Sequence, residues 1–319
     1  MIQTTETTQD SEWTPQYMRD VFEKVKNWGR WGADDESGAL NFITAEKRLE
    51  AARSITIGES VSCSLELPVN PAVDNPTPAL HMMVRGGDDC LIHEIDMESA
   101  MDFVGVAFHG LATSHIDALC HVFVDKKMYN GFPAEDVKST GAKRCSIICA
   151  KDGIVSRGVL LDIPRLLGRE WLELDEMISL EQLERAEEAQ GVRVSEGDIL
   201  LIATGRDTRR RAQGPWDAFT DGIPGLHPEC IPWLHERRIA VLGCDGVSDA
   251  FPGLGIKGWT MPVHQCTLVA MGVHLLDNLR LDALASACAQ HGKWGFHFSI
   301  APLRIAEGTG SPVNPIATL

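Results

Sequence analysis

Residues 143–246 alternate compact apolar runs with helical patterns, and that alternation confines the chain to a layered α/β architecture. KRCSIICA, GVLLDI, GDILLIATG and AVLGCDG are short runs of the kind that fully buried strands show. Between them SLEQLERAEEAQG carries apolar residues at helical spacing and ends at Gly191, and HPECIPWLHERRI predicts another helix. The flanks continue the mixture. Val21, Val25 and Trp28 predict a helix from Trp13, followed by a turn-rich stretch punctuated by Gly29, Gly32 and Gly38. Thr44 offers an N-cap hydroxyl to the helix TAEKRLEAARS.

SVSCSLEL alternates like a strand, with Val61, Cys63, Leu65 and Leu67 on one face. PVNPAVDNPTP is a loop, and HMMVRGG, CLIHEIDME and MDFVGVAFHG predict short strands separated by glycine turns. VHQCTLVAMGVHLLDNL is a helix-like stretch, LDALASACAQ is a helix, FHFSIAPLRI is a strand and GTGSPVNP is a closing loop. The expectation is one domain over residues 13–319 built on a mixed β-sheet flanked by helices, preceded by a disordered or arm-like segment at 1–12.

The charge excludes some partners. A formal net charge of −16 repels phosphate backbones and anionic lipid, so neither nucleic acid nor a membrane surface is expected. Arg206 to Arg211, with four arginines in six residues, reads as a solvated face. The nine cysteines are odd in number and lack CxxC spacing, which reads as reduced core residues. With no signal-like start and no apolar run of spanning length, a cytoplasmic location is expected.

Chemistry concentrates in HGLATSHIDALCH, from His109 to His121. If His115 and Asp117 share a strand, the period of two puts imidazole and carboxylate on one face, able to converge on one ion. His121 follows Asp117 by four, so a helical turn would swing it back over the same spot. Imidazole with carboxylate suits zinc or manganese. By spacing alone, a hydrogen-bonded cluster without an ion is an equal reading.

Read with its surroundings, HxDxxxH resembles the core of the HxGTHxDxPxH motif of the cyclase family, the group of bacterial kynurenine formamidases and isatin hydrolases. WGADDESGALNFIT, KMYNGF, GDILLIATG, AVLGCDGVSDAFP, PVHQCTLVAMGVHLLDNL and GTGSPVNPIA resemble the same family in the same order. The resemblance implies a swivelling β/β/α fold, a homodimer or homotetramer, and metal-activated water that hydrolyses a small amide or cyclic amide. His115 and Asp117 match the central metal ligands, and His121 matches the last histidine, as a ligand or proton shuttle. His264 matches the later histidine, as a ligand that assists catalysis, and Asp277 stands where the family places a metal-binding glutamate.

The family's first histidine falls at Leu111 and its proline at Leu119. A leucine has no lone pair, so the resemblance implies one zinc or manganese per subunit rather than two. His109 shares strand parity with 111 and 115 and could compensate in part for the lost ligand, but it would lie about 6–7 Å further along an extended chain, and is read first as a substrate-orienting residue or one that satisfies a core carbonyl. Lactone hydrolysis is the nearest alternative. A metal-free cyclase or dehydratase, or a non-catalytic small-molecule binding protein, is the alternative from another class. Ser114, Cys120, Asp245 and Asp249 have ordinary packing or capping readings beside functional ones, as do Trp28, Trp31, His81 and Met82 as pocket residues.

Overall fold

The computed structural model describes residues 13–89 and 97–319. The expected arm at 1–12 and most of CLIHEIDME lie outside the described residues. The chain builds a nine-stranded mixed sheet in the spatial order Ser60–Ser62, Ile316–Thr318, Gly295–Ile300, Ile154–Asp162, Ile199–Ala203, Val241–Cys244, His274–Asp277, His115–Asp117, Gly310–Pro312. The four strands from Ile154–Asp162 to His274–Asp277 run parallel, and every other pairing is antiparallel. This is the α/β class with a mixed sheet that the sequence predicts.

The parallel strands are apolar on both faces because both are covered. Leu160, Leu161, Leu200, Leu201, Leu275 and Leu276 have no exposed surface, and burying one such side chain contributes about 1.5–3 kcal/mol. Helices Ala45–Arg53 and Leu180–Gln190 pack on Ile154–Asp162. Each begins at a side chain that satisfies a free backbone N–H: the Thr44 hydroxyl accepts from Lys47 N, and Ser179 forms a capping box with Gln182. Gly191 closes the second helix in the left-handed conformation, with φ 60°.

Five local expectations are corrected. The helix-like stretch VHQCTLVAMGVHLLDNL is helical only as far as Met271 and then enters the sheet as the strand His274–Asp277. KRCSIICA forms no strand. It bends at Cys145, whose φ is 56° and whose N–H is taken by Glu36, and continues as a 3₁₀ turn at Ile147–Ala150. SVSCSLEL forms a strand only over Ser60–Ser62, with one further bridge from Ser64 to Leu279, and Leu67 is exposed. The tail read as a loop contributes the strand Gly310–Pro312. The arginine run forms helix Arg206–Gln213, but Arg206 is buried rather than solvated. HMMVRGG and MDFVG pair with each other as the ribbon Leu80–Arg85 and Met101–Gly105, outside the main sheet. No described helix is long and apolar enough to cross a membrane.

Candidate metal centre and its cavity

The strand His115–Asp117 sits between His274–Asp277 and Gly310–Pro312. The antiparallel register sets Asp277 directly opposite His115, so the two side chains share a face although they are far apart in sequence. On the other side Gly310 lies opposite Asp117, and a Cβ there would come within 2.5 Å of the Ile116 carbonyl and 3.0 Å of the His109 ring. Glycine at 310 is what lets the strand and the His109 ring approach.

Four imidazoles converge on the Asp117 carboxylate. His115 Nε2 is 3.4 Å from Oδ1. His121 returns through a tight turn closed by His121 N donating to the Ala118 carbonyl, not through a helix, and its Nε2 lies 4.0 Å from Oδ2. His264 enters from the short helix Pro262–His264, with Nε2 3.8 Å from Asp117 Oδ2 and 3.4 Å from Asp277 Oδ2.

The fourth is His109, whose Nδ1 is 2.9 Å from Asp117 Oδ1. An extended chain would leave it too far along the strand to take part, and the structure corrects that expectation. Residues 109–114 form a bent loop held by its carbonyls. Asn278 Nδ2 donates to Gly110 O and Thr113 O, and Arg206 donates to Leu111 O at 2.8 Å. The loop takes up the two extra residues that precede His115 and brings His109 to the carboxylate, while Leu111 turns its side chain to the cavity. A histidine two places early, next to a glycine, was the available signal.

Second contacts set which nitrogen faces the centre. His115 Nδ1 donates to the Thr113 carbonyl at 2.8 Å, leaving Nε2 toward Asp117. His264 Nδ1 meets Asp249 Oδ2 at 2.6 Å, leaving Nε2 toward the two site carboxylates. His109 Nε2 meets the Thr309 hydroxyl at 3.0 Å.

Burial and charge act strongly here. Burial disfavours the charged imidazole of His115, but the adjacent Asp117 carboxylate outweighs it, with Asp277 adding to the effect, and raises the group to about 9. His264 is likewise held well above the usual histidine range, burial being overcome by Asp249 and Asp277. His121 goes the other way: burial and the neighbouring histidines push it down to about 4 against the pull of Asp117. Burial works against ionisation of Asp117, yet His109 and His115 hold it well below the carboxylate range.

The donor set fits a divalent cation. Asp117 is 1% exposed, and neither of its oxygens receives a hydrogen bond. His109 Nδ1 and Asp277 Oδ1 are also buried without hydrogen-bond partners. Buried polar atoms left unpaired cost several kcal/mol unless a positive charge answers them. The donors form two groups, His109–His115–Asp117 and Asp117–His264–Asp277, each with its ligand atoms within 4.8 Å of one another and with Asp117 common to both.

The centre opens into a cavity of about 530 Å³. Leu111, Phe219, Ile223, Val247, Phe251 and Met261 supply its apolar wall, and among the described residues no lysine or arginine lines it. Two rim carboxylates are already engaged: Asp74 accepts from Arg210, and Asp217 accepts from Phe219 N.

The remaining sequence candidates have structural partners. Ser114 Oγ bridges Leu65 N and the Asn278 carbonyl, and burial pushes the Cys120 thiol up to about 12. Asp245 accepts from the N–H groups of Thr204, Gly205 and Arg206, so it caps the Arg206–Gln213 helix. Trp28 and Trp31 pack against the core, and His81 pairs with Asp102 on the ribbon. Asn278, Arg206 and Thr309 escape a reading of the sequence as parts of the site, because each acts through a neighbour that only the fold supplies.

A family model described as "Putative cyclase" matches residues 60–249. Over 108 residues the chain is 29% identical to a kynurenine formamidase of Bacillus cereus (strain ATCC 10987 / NRS 248), covering 34% of this chain and 46% of that protein. A kynurenine formamidase of Bacillus thuringiensis (strain Al Hakam) is 28% identical over the same length. The chain thus spans about half the length of these curated relatives. Among solved structures, a novel cyclase superposes with a TM-score of 0.84 at 31% identity, over 92% of this chain and 99% of that one. Isatin hydrolase A from Labrenzia aggregata, bound to benzyl benzoate, shares the fold with a TM-score of 0.58 at 23% identity, over 86% of this chain and 98% of its own. The family match over more than half the chain and the end-to-end likeness to a solved cyclase agree with the described architecture, and this protein belongs to the cyclase family.

Proposed function

We propose that this protein hydrolyses a small, uncharged amide or cyclic amide with water activated at the His–Asp centre. The observation that carries the reading is the buried Asp117 carboxylate, without hydrogen-bond donors, at the floor of an apolar cavity. The names of two relatives, kynurenine formamidase and isatin hydrolase, support the same reaction class. His109, His115 and Asp117 would hold one zinc or manganese ion, and Asp117, His264 and Asp277 a second. With His109 standing in for the ligand lost at Leu111, this reading has room for a second ion beside the single one expected from the sequence. When bound, such an ion lowers the pKa of water toward about 7 and polarises a carbonyl.

The protein's own residues do the rest. The apolar wall binds the substrate body and excludes bulk water from the reacting carbonyl. His121 borders the cavity, 31% exposed, and is uncharged at neutral pH, so it can accept a proton from the attacking water and return it to the leaving nitrogen. Since carboxylates and no guanidinium or ammonium face the cavity, a neutral substrate fits better than an anionic one. Lactone or ester hydrolysis is the second reading, favoured by the ester that the isatin hydrolase A structure holds. Self-association as a homodimer or homotetramer is part of the proposal, supported by the apolar ribbon face of Leu80, Met82, Met101 and Phe103.

The experiment pairs metal analysis with a panel of formyl-anilines, cyclic imides and lactones, for wild type and Asp117→Asn. Bound zinc or manganese, with amide turnover that Asp117→Asn abolishes, is the expected result. Full turnover by a metal-free protein would overturn the proposal.

A further inference from the structure

The carboxylate of Asp249 sits behind the candidate ligands, on the loop that follows strand Val241–Cys244, and is 1% exposed. It receives three donors from one segment. Val263 N donates to Oδ1 at 2.7 Å, His264 N donates to Oδ2 at 2.9 Å, and His264 Nδ1 lies 2.6 Å from the same Oδ2. The Asp249 backbone is itself confined, since a Cβ at Gly225 would fall 2.2 Å from the Asp249 carbonyl carbon.

We propose that Asp249 is the positioning residue of the centre, fixing the ring plane and tautomer of His264 so that bare Nε2 is presented to Asp117 and Asp277. The inference rests on the metal reading above and deepens it. A carboxylate on one imidazole nitrogen holds a proton there, so when the ring gives up its second proton, as a metal ligand must, the lone pair is left on Nε2. The two backbone contacts lock the base of the side chain while the third locks its tip, so the ring cannot turn away from the cavity. His115 has only a carbonyl in the equivalent place, at Thr113. His264, entering on a short helix rather than a strand, depends on Asp249 for its aim.

The competing account is a plain helix cap, in which Asp249 serves only the N–H groups of Val263 and His264. A double-substitution cycle separates the two, with zinc and manganese affinity measured by calorimetry and folding followed by circular dichroism. Asp249→Asn presents an amide N–H₂ where a carboxylate oxygen stood, and should weaken metal binding about 10–100-fold with the fold retained. In a His264→Gln background the same change should cost almost no further affinity, because the residue through which Asp249 acts is gone. An equal loss in both backgrounds, or unchanged affinity in Asp249→Asn, overturns the assignment. Should Asp249→Asn fail to fold, nitrogen NMR of the zinc-loaded wild type decides between the two accounts. A protected proton on His264 Nδ1 sustains the claim, and a proton on Nε2 ends it. Wild-type protein that binds neither ion removes the metal reading and this inference together.

Discussion

His109 stacks flat on His121, ring centroids 3.9 Å apart and planes 1° from parallel, so the two ends of the HGLATSHIDALCH segment meet face to face over Asp117. The stack ties the position of the candidate proton carrier to that of the candidate ligand His109. On the proposed reading, removing His109 acts twice, on the ion and on His121.

The first prediction follows from that contact. His109→Ala should weaken metal affinity by more than the 10–100-fold typical of residues that merely orient a ligand, and lower kcat by at least about 100-fold. Adding Leu111→His to that variant should not restore either quantity, because side chain 111 packs against the apolar cluster of Ala218, Ile223 and Val247. Calorimetry and steady-state kinetics on the pair check this. Rescue by histidine at 111 would show that the bent loop does not hold its shape.

Much of this was legible in the sequence, and the boundary is a physical one. Period-two and period-3.6 patterns report burial, so the parallel strands and the helices Ala45–Arg53 and Leu180–Gln190 could be read from residue spacing and capping hydroxyls. His115, Asp117 and His121 fall within a few residues of one another, and local geometry suffices to bring them together. KRCSIICA misleads because an apolar run reports that it is buried, not what it pairs with. Glu36 stops it by binding Cys145 N from more than a hundred residues away. His109 is hidden for the same reason: the bend that returns it depends on Asn278 and Arg206, which no window around the motif contains.

Metal should stabilise the fold in a titratable way. A ligand that binds only the native state adds about 2.7 kcal/mol at a concentration 100 times its Kd, which raises Tm by several degrees in a chain of this size. Chelator-treated wild type should show a rise of this kind on addition of manganese or zinc, graded with concentration. Asp117→Asn, which removes the acceptor common to both donor groups, should show almost none. Equal shifts in the two proteins would place the metal elsewhere.

The acid limb of stability should carry a contribution from His274, which has no exposed surface and lies on the strand bearing Asp277. Burial, opposed weakly by Asp117, pushes it down to about 4. The unfolded chain protonates near pH 6.5, whereas the folded chain resists until about pH 4. Stability is thus full above pH 6.5 and falls as the pH drops through that window. The loss amounts to about 3 kcal/mol, given the full burial of the ring. Denaturant unfolding at pH 7 and pH 4.5 should show a smaller decrease for His274→Leu than for wild type. His115, His121 and His264 are unchanged between the two proteins, so their contribution cancels in the comparison. Parallel decreases would mean that the ring is protonated in the native state.

Phe219 is 71% exposed at the mouth of the cavity, edge-on to Phe251 at 5.5 Å between ring centroids. An aromatic ring left in water beside a catalytic cavity gains most when a ligand covers it, and such contacts contribute about 0.5–1.5 kcal/mol beyond the area they bury. Phe219→Ala should raise KM for ring-bearing amides about 3–10-fold while leaving kcat nearly unchanged, because the lost contact is made equally in the ground and transition states. A small aliphatic formamide, too short to reach the lip, should show little change in either constant. Paired kinetics on the two substrates decide the point. A KM increase of the same size for both would assign Phe219 to the shape of the cavity rather than to the substrate ring. A fall in kcat would place it nearer the reacting carbonyl than the geometry allows.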